Sequence, residues 1–367
     1  MSHYEYMARA IALAKQGLYT TDPNPRVGCV IVKDGEIVGE GYHRKAGEGH
    51  AEVNALAMAG EQAKGATAYV TLEPCSHFGR TPPCSDGLIN AGVRHVVCAM
   101  KDPNPQVSGR GFAKLMAAGI DVTLGILEEQ ARALNLGFIK RMESGKPFVR
   151  LKMASSLDGR TAMQSGESQW ITGSAARQDV QRLRARSSAI ITGIESIKHD
   201  DSSLTVRAGE LGLDEAWANE IVKRQPLRVV LDSQGQISKD AKILQQDGHT
   251  LVAVAKGVSL DEGIESLELD RAEKGLNLTA LLEYLAEQQC NEILVETGAT
   301  LAGEFVRQGL VDEMVLYMAP CFMGSDARPI LNWPLQQMAQ KQNVNIIDNR
   351  MVGNDIRLTL RFEEQSN

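Results

Sequence analysis

Aromatic residues are scarce in this chain of 367 residues: they make up 5%, so any large core must be aliphatic. Positive charge is also short. Lys and Arg number 39 against 46 Asp and Glu, which gives a formal charge of −7 and an isoelectric point of 5.6. Polynucleotide binding leans on basic side chains that neutralise phosphates, so this balance argues against a nucleic-acid partner. It leaves room for the few arginines that a small phosphorylated substrate requires. No segment approaches the roughly 18 consecutive apolar residues of a membrane span. The first residues, MSHYEYMARAIALAKQG, carry charges throughout and lack the apolar block of a signal peptide. The six cysteines (Cys29, Cys75, Cys84, Cys98, Cys290 and Cys321) are scattered, which argues against a disulfide framework and points to the cytoplasm. No CxxC pair occurs, which argues against a zinc ribbon with its paired knuckles. No GxGxxG occurs either; Gly109-Arg110-Gly111 lacks the third glycine, which argues against a Rossmann domain.

What is present suffices for two domains. Hydrophobic residues make up 43% and charged residues 23%, ordinary values for a globular chain. Helical spacing over 3–17 precedes an apolar run at Val27–Lys33, an Asp34-Gly35 hairpin signal and a second strand at Glu36–His43. Helices are expected at Ala51–Ala59, Cys84–Ala91, 109–118 and 127–143, and strands at Ala68–Leu72, Arg94–Met100 and 120–124. Cys29 and Cys98 lie in apolar runs and read as core thiols. Ser144-Gly145-Lys146-Pro147 marks the boundary between a domain at 1–145 and another at 146–367. The second opens with a strand at Phe148–Met153. Helices follow at 174–186, 278–288 and 300–308, with strands at 188–192, 227–231, 291–296, 312–318 and 355–361 and weaker strand signals near 250–255 and 267–270. Segments 208–222 and 256–276 read as irregular. Strands separated by helices imply α/β layers in both halves. The tetrapeptide DPNP occurs at 22–25 and again at 102–105, without a wider repeat.

The strongest chemical signal is His50-Ala51-Glu52 together with Pro74-Cys75 and Cys84. A catalytic zinc takes three protein ligands and keeps one open position, and one imidazole with two thiolates fits. Zinc lowers the pKa of bound water to about 7, and deamination then needs a carrier between that water and the departing ammonia. Glu52, without ligand duty, suits the shuttle. Residues two apart on a helix point about 200° apart, so His50 and Glu52 address one site only if His50 sits at the start of the helix. The generic zinc-deaminase signature is H-x-E with P-C-x-x-C, whereas residues 76–83 intervene here between the two cysteines. His77 and His43 read as loop histidines near the site. Asn24, in a Pro-bounded turn, either hydrogen-bonds a sugar or base or is an ordinary turn residue.

In the second half, the strand ending at Glu296 runs into Thr297-Gly298-Ala299-Thr300-Leu301-Ala302-Gly303, which opens a helix. A pyrophosphate-bearing cofactor fits beyond such a strand end, and a plain strand–helix turn fits as well. Arg184 shares a helix side with Val180 and either clamps a phosphate or covers apolar surface with its stem. Arg182 and Arg186 share another face and read as solvated.

His50-Ala51-Glu52, Thr71-Leu72-Glu73-Pro74-Cys75-Ser76-His77 and Gly79-Arg80-Thr81-Pro82-Pro83-Cys84 closely resemble the bifunctional riboflavin-biosynthesis deaminase–reductase family, in which the long cysteine spacing is usual. The resemblance covers nearly the whole chain and thins over 208–225 and 235–290. It implies a cytidine-deaminase-like three-layer domain followed by a dihydrofolate-reductase-like domain, with Zn2+ and NADPH as cofactors. It implies deamination of 2,5-diamino-6-(5-phosphoribosylamino)pyrimidinone, a small phosphorylated pyrimidine, and then reduction of the ribosyl group to ribityl. It also implies a homo-oligomer. Carried over residue by residue, it assigns the ribotide to Ser168, Arg184, Leu204, Arg207 and Glu296. It assigns the cofactor to Ala154, Trp170, Ser196, Asp200, Ser233 and the run Gly298, Ala299, Thr300, Leu301, Ala302, Gly303 and Glu304. Ser202 stands where the family usually has proline, which frees the loop's backbone. Asp200 and Glu296 are both candidates for protonating the opened sugar. Two other readings share the zinc residues: a tRNA or nucleotide deaminase with an appended binding domain, and a binding module that keeps zinc for stability.

Overall fold

The structure, a computed structural model, describes residues 2–78, 82–105 and 107–362. The chain divides into two compact units, Met1–Lys146 and Pro147–Asn367. Among the described residues no helix is long and apolar enough to cross a membrane.

In the first unit α1 (His3–Ala14) starts at Ser2, whose hydroxyl accepts the Glu5 N–H while the Glu5 carboxylate accepts the Ser2 N–H. A hairpin follows, β1 (Gly28–Lys33) and β2 (Glu36–Tyr42), turned at Asp34-Gly35. Next come α2 (Ala51–Ala59), β3 (Thr67–Val70), α3 (Cys84–Asn90), β4 (His95–Cys98), α4 (Arg110–Ala117), β5 (Asp121–Leu124), α5 (Glu128–Leu134) and α6 (Leu136–Ser144). The strands lie in the order β2-β1-β3-β4-β5, with β1 antiparallel to both its neighbours and β3, β4 and β5 parallel. The ends of β2, β3, β4 and β5 therefore share one sheet edge with the start of β1. Alternation in β1 sends Val30 and Val32 towards α1, α5 and α6, and Cys29 and Ile31 towards α2, α3 and α4. The result is a three-layer unit. Its helix α2 is rich in alanine because it lies against main chain: a Cβ at Gly39 would stand 2.3 Å from the Ala55 carbonyl oxygen, and one at Gly41 2.4 Å from that of Ala51.

The single helix expected over 127–143 is two. Asn135 breaks it, because its buried amide serves the main chain of Arg26: Oδ1 accepts the Arg26 N–H at 2.8 Å and Nδ2 donates to the Arg26 carbonyl at 2.9 Å.

The second unit contains β6 (Phe148–Ser156), β7 (Arg160–Ala162), α7 (Ser174–Arg186), β8 (Ala189–Gly193), α8 (Ile194–Asp200), α9 (Glu215–Ile221), β9 (Leu227–Leu231), β10 (Thr250–Ala255), β11 (Ser266–Leu269), α10 (Leu278–Glu287), β12 (Glu292–Glu296), α11 (Ala299–Arg307), β13 (Glu313–Ala319), β14 (Arg328–Pro329), β15 (Val344–Val352) and β16 (Asp355–Phe362). Nine strands form one sheet in the order β11-β10-β9-β8-β12-β6-β13-β16-β15. It is parallel from β11 to β13 and antiparallel at β16 and β15. Leucines of α10 and Phe305 of α11 cover one face; Val180 and Leu183 of α7 cover the other.

Three parts of this unit differ from the sequence reading. The 208–222 segment is not wholly irregular, since Asp214 accepts the Trp217 N–H at 3.2 Å and starts α9. Helix α8 follows β8 directly and was not foreseen. Strand β15 is exposed along almost its whole length, so it carries no period-two alternation by which a sequence reader finds a strand.

A buried ion network locks the strands at the edge opposite the β12–α11 turn. Arg150 on β6 is 1% exposed; its Nε donates to Glu313 at 2.6 Å and its Nη1 to Glu292 at 3.0 Å. Arg186, expected to be solvated, joins Glu292 at 3.0 Å. Removing one partner strands the others in a dry interior. Arg150→Met is therefore expected to destabilise the C-terminal unit by about 3 kcal/mol, read as a lower urea midpoint. An unchanged midpoint would show that the network contributes nothing.

Candidate active sites

The first unit gathers His50, Cys75 and Cys84 at the sheet edge where β2 and β3 end. His50 is the residue before α2, with φ −68° and ψ 169°, so it stands off the helix while Glu52 occupies the first turn. This is the geometry that the two-residue spacing demands. Cys84 is the first residue of α3, and its N–H donates to Cys75 Sγ at 3.3 Å. His50 Nδ1 lies 3.2 Å from Cys84 Sγ and 3.7 Å from Cys75 Sγ, and all three atoms fall within 4.8 Å of one another. Bond lengths of about 2.0 and 2.3 Å at a tetrahedral centre put neighbouring nitrogen and sulfur ligands roughly 3.6 Å apart, so the donor set fits zinc.

The electrostatics are those of one coupled unit. Contact with Cys84 pulls the Cys75 thiol down to about 4, and the same contact pushes Cys84 up. The hydrogen bond with Cys75 raises His50. Glu52 is 3% exposed and lies against Cys84; burial, helped by the charge of Cys75, raises it to about 7. A carboxyl in that range both takes and gives protons at neutral pH.

His43 and Asn24 stand beside this cluster. The ring of His43 meets that of His50 edge-on at 5.3 Å between centroids. His43 Nδ1 faces the Gly49 carbonyl and its Nε2 faces Asn24 Nδ2, both at 3.2 Å. A carbonyl only accepts and an amide NH2 only donates, which fixes the neutral ring with hydrogen on Nδ1. Burial lowers His43 further. His77 is exposed and outside the three-residue cluster. Gly79, Arg80 and Thr81 of the family motif lie outside the described residues. Asp102, at the same sheet edge, was not picked out from the sequence; the signal was there, in a second DPNP turn just past a strand.

In the second unit a cleft of about 1460 Å³ opens at the carboxyl ends of β6, β8, β9 and β12. Its lining contains Ser168, Arg184, Leu204, Arg207 and Glu296. It also contains Ala154, Trp170, Ser196, Asp200, Ser233 and, from the β12–α11 turn, Gly298, Ala299, Thr300, Leu301, Gly303 and Glu304. Ala302 alone of the assigned residues does not line it; it is fully buried in the core. A Cβ at Gly298 would meet nothing within 4 Å, so the turn leaves room at the start of α11. That space, main-chain N–H groups at a helix start and a cleft larger than the usual 300–1,000 Å³ or so fit a dinucleotide together with a second ligand. Trp170 is 70% exposed and carries the Arg177 guanidinium 4.6 Å from its ring centroid.

Arg184, read as either a phosphate clamp or a cover for apolar surface, lines the cleft and is held by a carboxylate. Arg184 forks onto Glu296, Nε to Oε1 at 2.6 Å and Nη2 to Oε2 at 2.9 Å, with Nη1 donating to the Thr205 carbonyl. Burial alone would raise Glu296, but Arg184 and Lys152 outweigh it and hold the carboxyl below its ordinary value. Arg207 pairs with Glu210 at 2.8 Å. Arg182, expected to be solvated, donates to the Leu211 carbonyl and to Asp179, both at 3.0 Å. Ser202 lacks the restraint of proline, yet its loop is tied on both sides. Asp201 accepts the Lys242 N–H, and Gln225 takes the Val206 N–H and donates to its carbonyl.

Lys152 was missed. It lies on β6 opposite Glu296 of β12 and lines the cleft. Burial lowers its pKa, opposed by Glu296. The signal was a lysine two residues after an arginine inside the apolar strand Phe148–Met153, since a buried parallel strand has no solvent to offer either.

Comparison with known proteins follows this division. The family profile described as RibD C-terminal domain matches residues 147–357, and that of the cytidine and deoxycytidylate deaminase zinc-binding region matches residues 1–100. The riboflavin biosynthesis protein RibD of Escherichia coli K12 is 54% identical over 97% of this chain and 98% of its own. That of Haemophilus influenzae is 49% identical over 96% of each. Among solved structures, Acinetobacter baumannii RibD is 50% identical, covers 99% of each chain and superposes with a TM-score of 0.92. A diaminohydroxyphosphoribosylaminopyrimidine deaminase/5-amino-6-(5-phosphoribosylamino)uracil reductase of Thermotoga maritima is 32% identical over 98% of this chain and 99% of its own, with a TM-score of 0.86.

The metal cluster yields a direct expectation. The purified chain should carry about one zinc, and Cys84→Ser should lower that several-fold after dialysis, because three ligands are the minimum of a catalytic site. Elemental analysis decides it; full zinc retention in the variant would remove Cys84 from the ligand set.

Proposed function

The chain belongs to the RibD family of riboflavin biosynthesis proteins, and from that premise we propose two consecutive reactions on one small phosphorylated pyrimidine. The first unit deaminates 2,5-diamino-6-(5-phosphoribosylamino)pyrimidin-4-one hydrolytically. The second reduces the ribosyl group of the product with NADPH, giving 5-amino-6-(5-phosphoribitylamino)uracil. The observation that carries the reading is the convergence of His50, Cys75 and Cys84 with the buried Glu52 carboxyl against them.

His50, Cys75 and Cys84 hold zinc, which when bound supplies the acidification of water that hydrolysis needs at neutral pH. Glu52 takes a proton from the attacking water and delivers it to the departing ammonia. His43, with its tautomer fixed by Gly49 and Asn24, braces the face of His50.

In the second unit Ser168, Arg184, Leu204, Arg207 and Glu296 hold the ribotide. Ala154, Trp170, Ser196, Asp200, Ser233 and the turn from Gly298 to Glu304 hold NADPH, which supplies the hydride. Reduction of the opened sugar's carbonyl also places a proton on oxygen. Glu296 is ionised against Arg184 and has no proton to give, and Asp200 is exposed. Lys152, at the floor of the cleft beside Glu296, is the donor that fits.

The acidic balance of the chain supports a substrate other than nucleic acid, and six cysteines that form no disulfide support a reducing, cytoplasmic setting. The outer strand β15 supports a homo-oligomer, since Ile346, Ile347 and Met351 are 60%, 49% and 62% exposed along a sheet edge that no other described strand pairs.

Two measurements test the assignment. Glu52→Gln is expected to lower ammonia release by at least about a hundredfold while leaving NADPH oxidation with the deaminated substrate intact. Loss of both activities in a folded variant would sink the division of labour. Lys152→Met is expected to lower the reductase kcat by about a hundredfold with NADPH binding retained. Because burial lowers Lys152 and its charged form donates, the wild-type rate should fall with rising pH earlier than an ordinary lysine would allow. A pH profile unchanged by the substitution would exclude Lys152 as donor.

A further inference from the structure

Glu73, two residues before Cys75, is 3% exposed. Four main-chain N–H groups surround its carboxylate. Oε2 accepts from Asp102 at 3.1 Å and Gly109 at 2.9 Å; Oε1 accepts from Gly111 at 2.9 Å and Phe112 at 3.4 Å. The first two donors bracket the loop that follows β4. The second two belong to the first turn of α4. That turn abuts the Cys75 loop directly, for a Cβ at Gly111 would stand 2.1 Å from the Pro74 carbonyl oxygen.

The bracketed loop leaves the sheet at the edge that carries the metal cluster. Strands β3 and β4 are parallel neighbours, so the loop carrying Cys75 and the loop carrying Asp102 leave the sheet at the same edge. The loop holds the second DPNP turn, closed by the Asn104 N–H donating to Asp102 Oδ1 at 2.8 Å. The first DPNP turn precedes β1, which begins at that edge, and its Asn24 meets His43 beside His50. Both turns thus lie at the sheet edge that carries the metal cluster. The Asp102 carboxyl is itself raised to about 6 by burial, with Glu73 and Cys75 adding to the rise.

We propose that Glu73 is a positioning residue for the deamination: through its four main-chain bonds it sets the Asp102–Pro105 turn beside Cys75 as one wall of the substrate site. The proposal rests on the deaminase reading given above. A carboxylate suits the task because it only accepts. Glutamine keeps one acceptor oxygen and turns an NH2 group towards two N–H donors, which frees one end of the arrangement.

Glu73→Gln is accordingly expected to raise the KM of the deamination roughly tenfold, with kcat, zinc content and reductase activity changed little. An unchanged KM, or a fall in kcat together with loss of zinc, would overturn the proposal. Hydrogen exchange on the unmodified chain gives a check that needs no variant. The Asp102 and Gly109 amides should exchange as slowly as those of β4, and loop-like exchange at both would overturn it equally. A wild-type chain that releases no ammonia would instead sink the deaminase reading, an outcome distinct from any of these.

Discussion

The main-chain contact between α2 and β2 is the constraint on which the N-terminal site depends. With glycine at 39 and 41 and alanine at 51, 55 and 59, the helix lies on the strand with little but main chain and the Cβ atoms of Asn54 and Ala59 at the contact. A helix seated that closely can neither roll nor slide. His50 and Glu52 are therefore delivered to the sheet edge at a fixed height, one just off the helix and the other in its first turn. Cys75 and Cys84 come from separate loops, and their sulfurs need only reach a point that α2 has already defined.

The C-terminal unit solves a different problem with similar means. Its inner strand β6 carries Arg150 and Lys152 on one face. At one end Arg150 is closed off by Glu292, Glu313 and, through Glu292, Arg186, so its charge is structural. Near the other end Lys152 faces Glu296, whose charge is already taken by Arg184. Two residues along the strand separate a sealed charge from one left poised in a cleft. The difference is burial on all sides against burial beside a cavity.

Much of this was legible in the sequence, and for physical reasons. Helix and strand periods persisted wherever an element had one wet and one dry face, as in α1, α7 and α10. The cluster of His50, Cys75 and Cys84 was legible because metal chemistry restricts residue type and spacing together. The failures share a cause as well. Strand β15 has no dry face to show a period. Asn135 interrupts a helix for the sake of Arg26, a partner 109 positions away. Arg182 and Arg186 were read as solvated but meet the Leu211 carbonyl and Glu292, partners far off in the chain on which one-dimensional spacing is silent. Glu73 and Lys152 were hidden by their setting, since an anion among main-chain amides and a lysine in a buried strand leave only their improbability as a trace.

The two sheets remain separate: no described strand of the first unit pairs with one of the second, and the apolar clusters sort the same way. Each candidate site is drawn from residues on one side of the Lys146–Pro147 junction. A gene encoding such a chain can be split there, or its halves joined to other partners, without dividing a hydrogen-bonded layer.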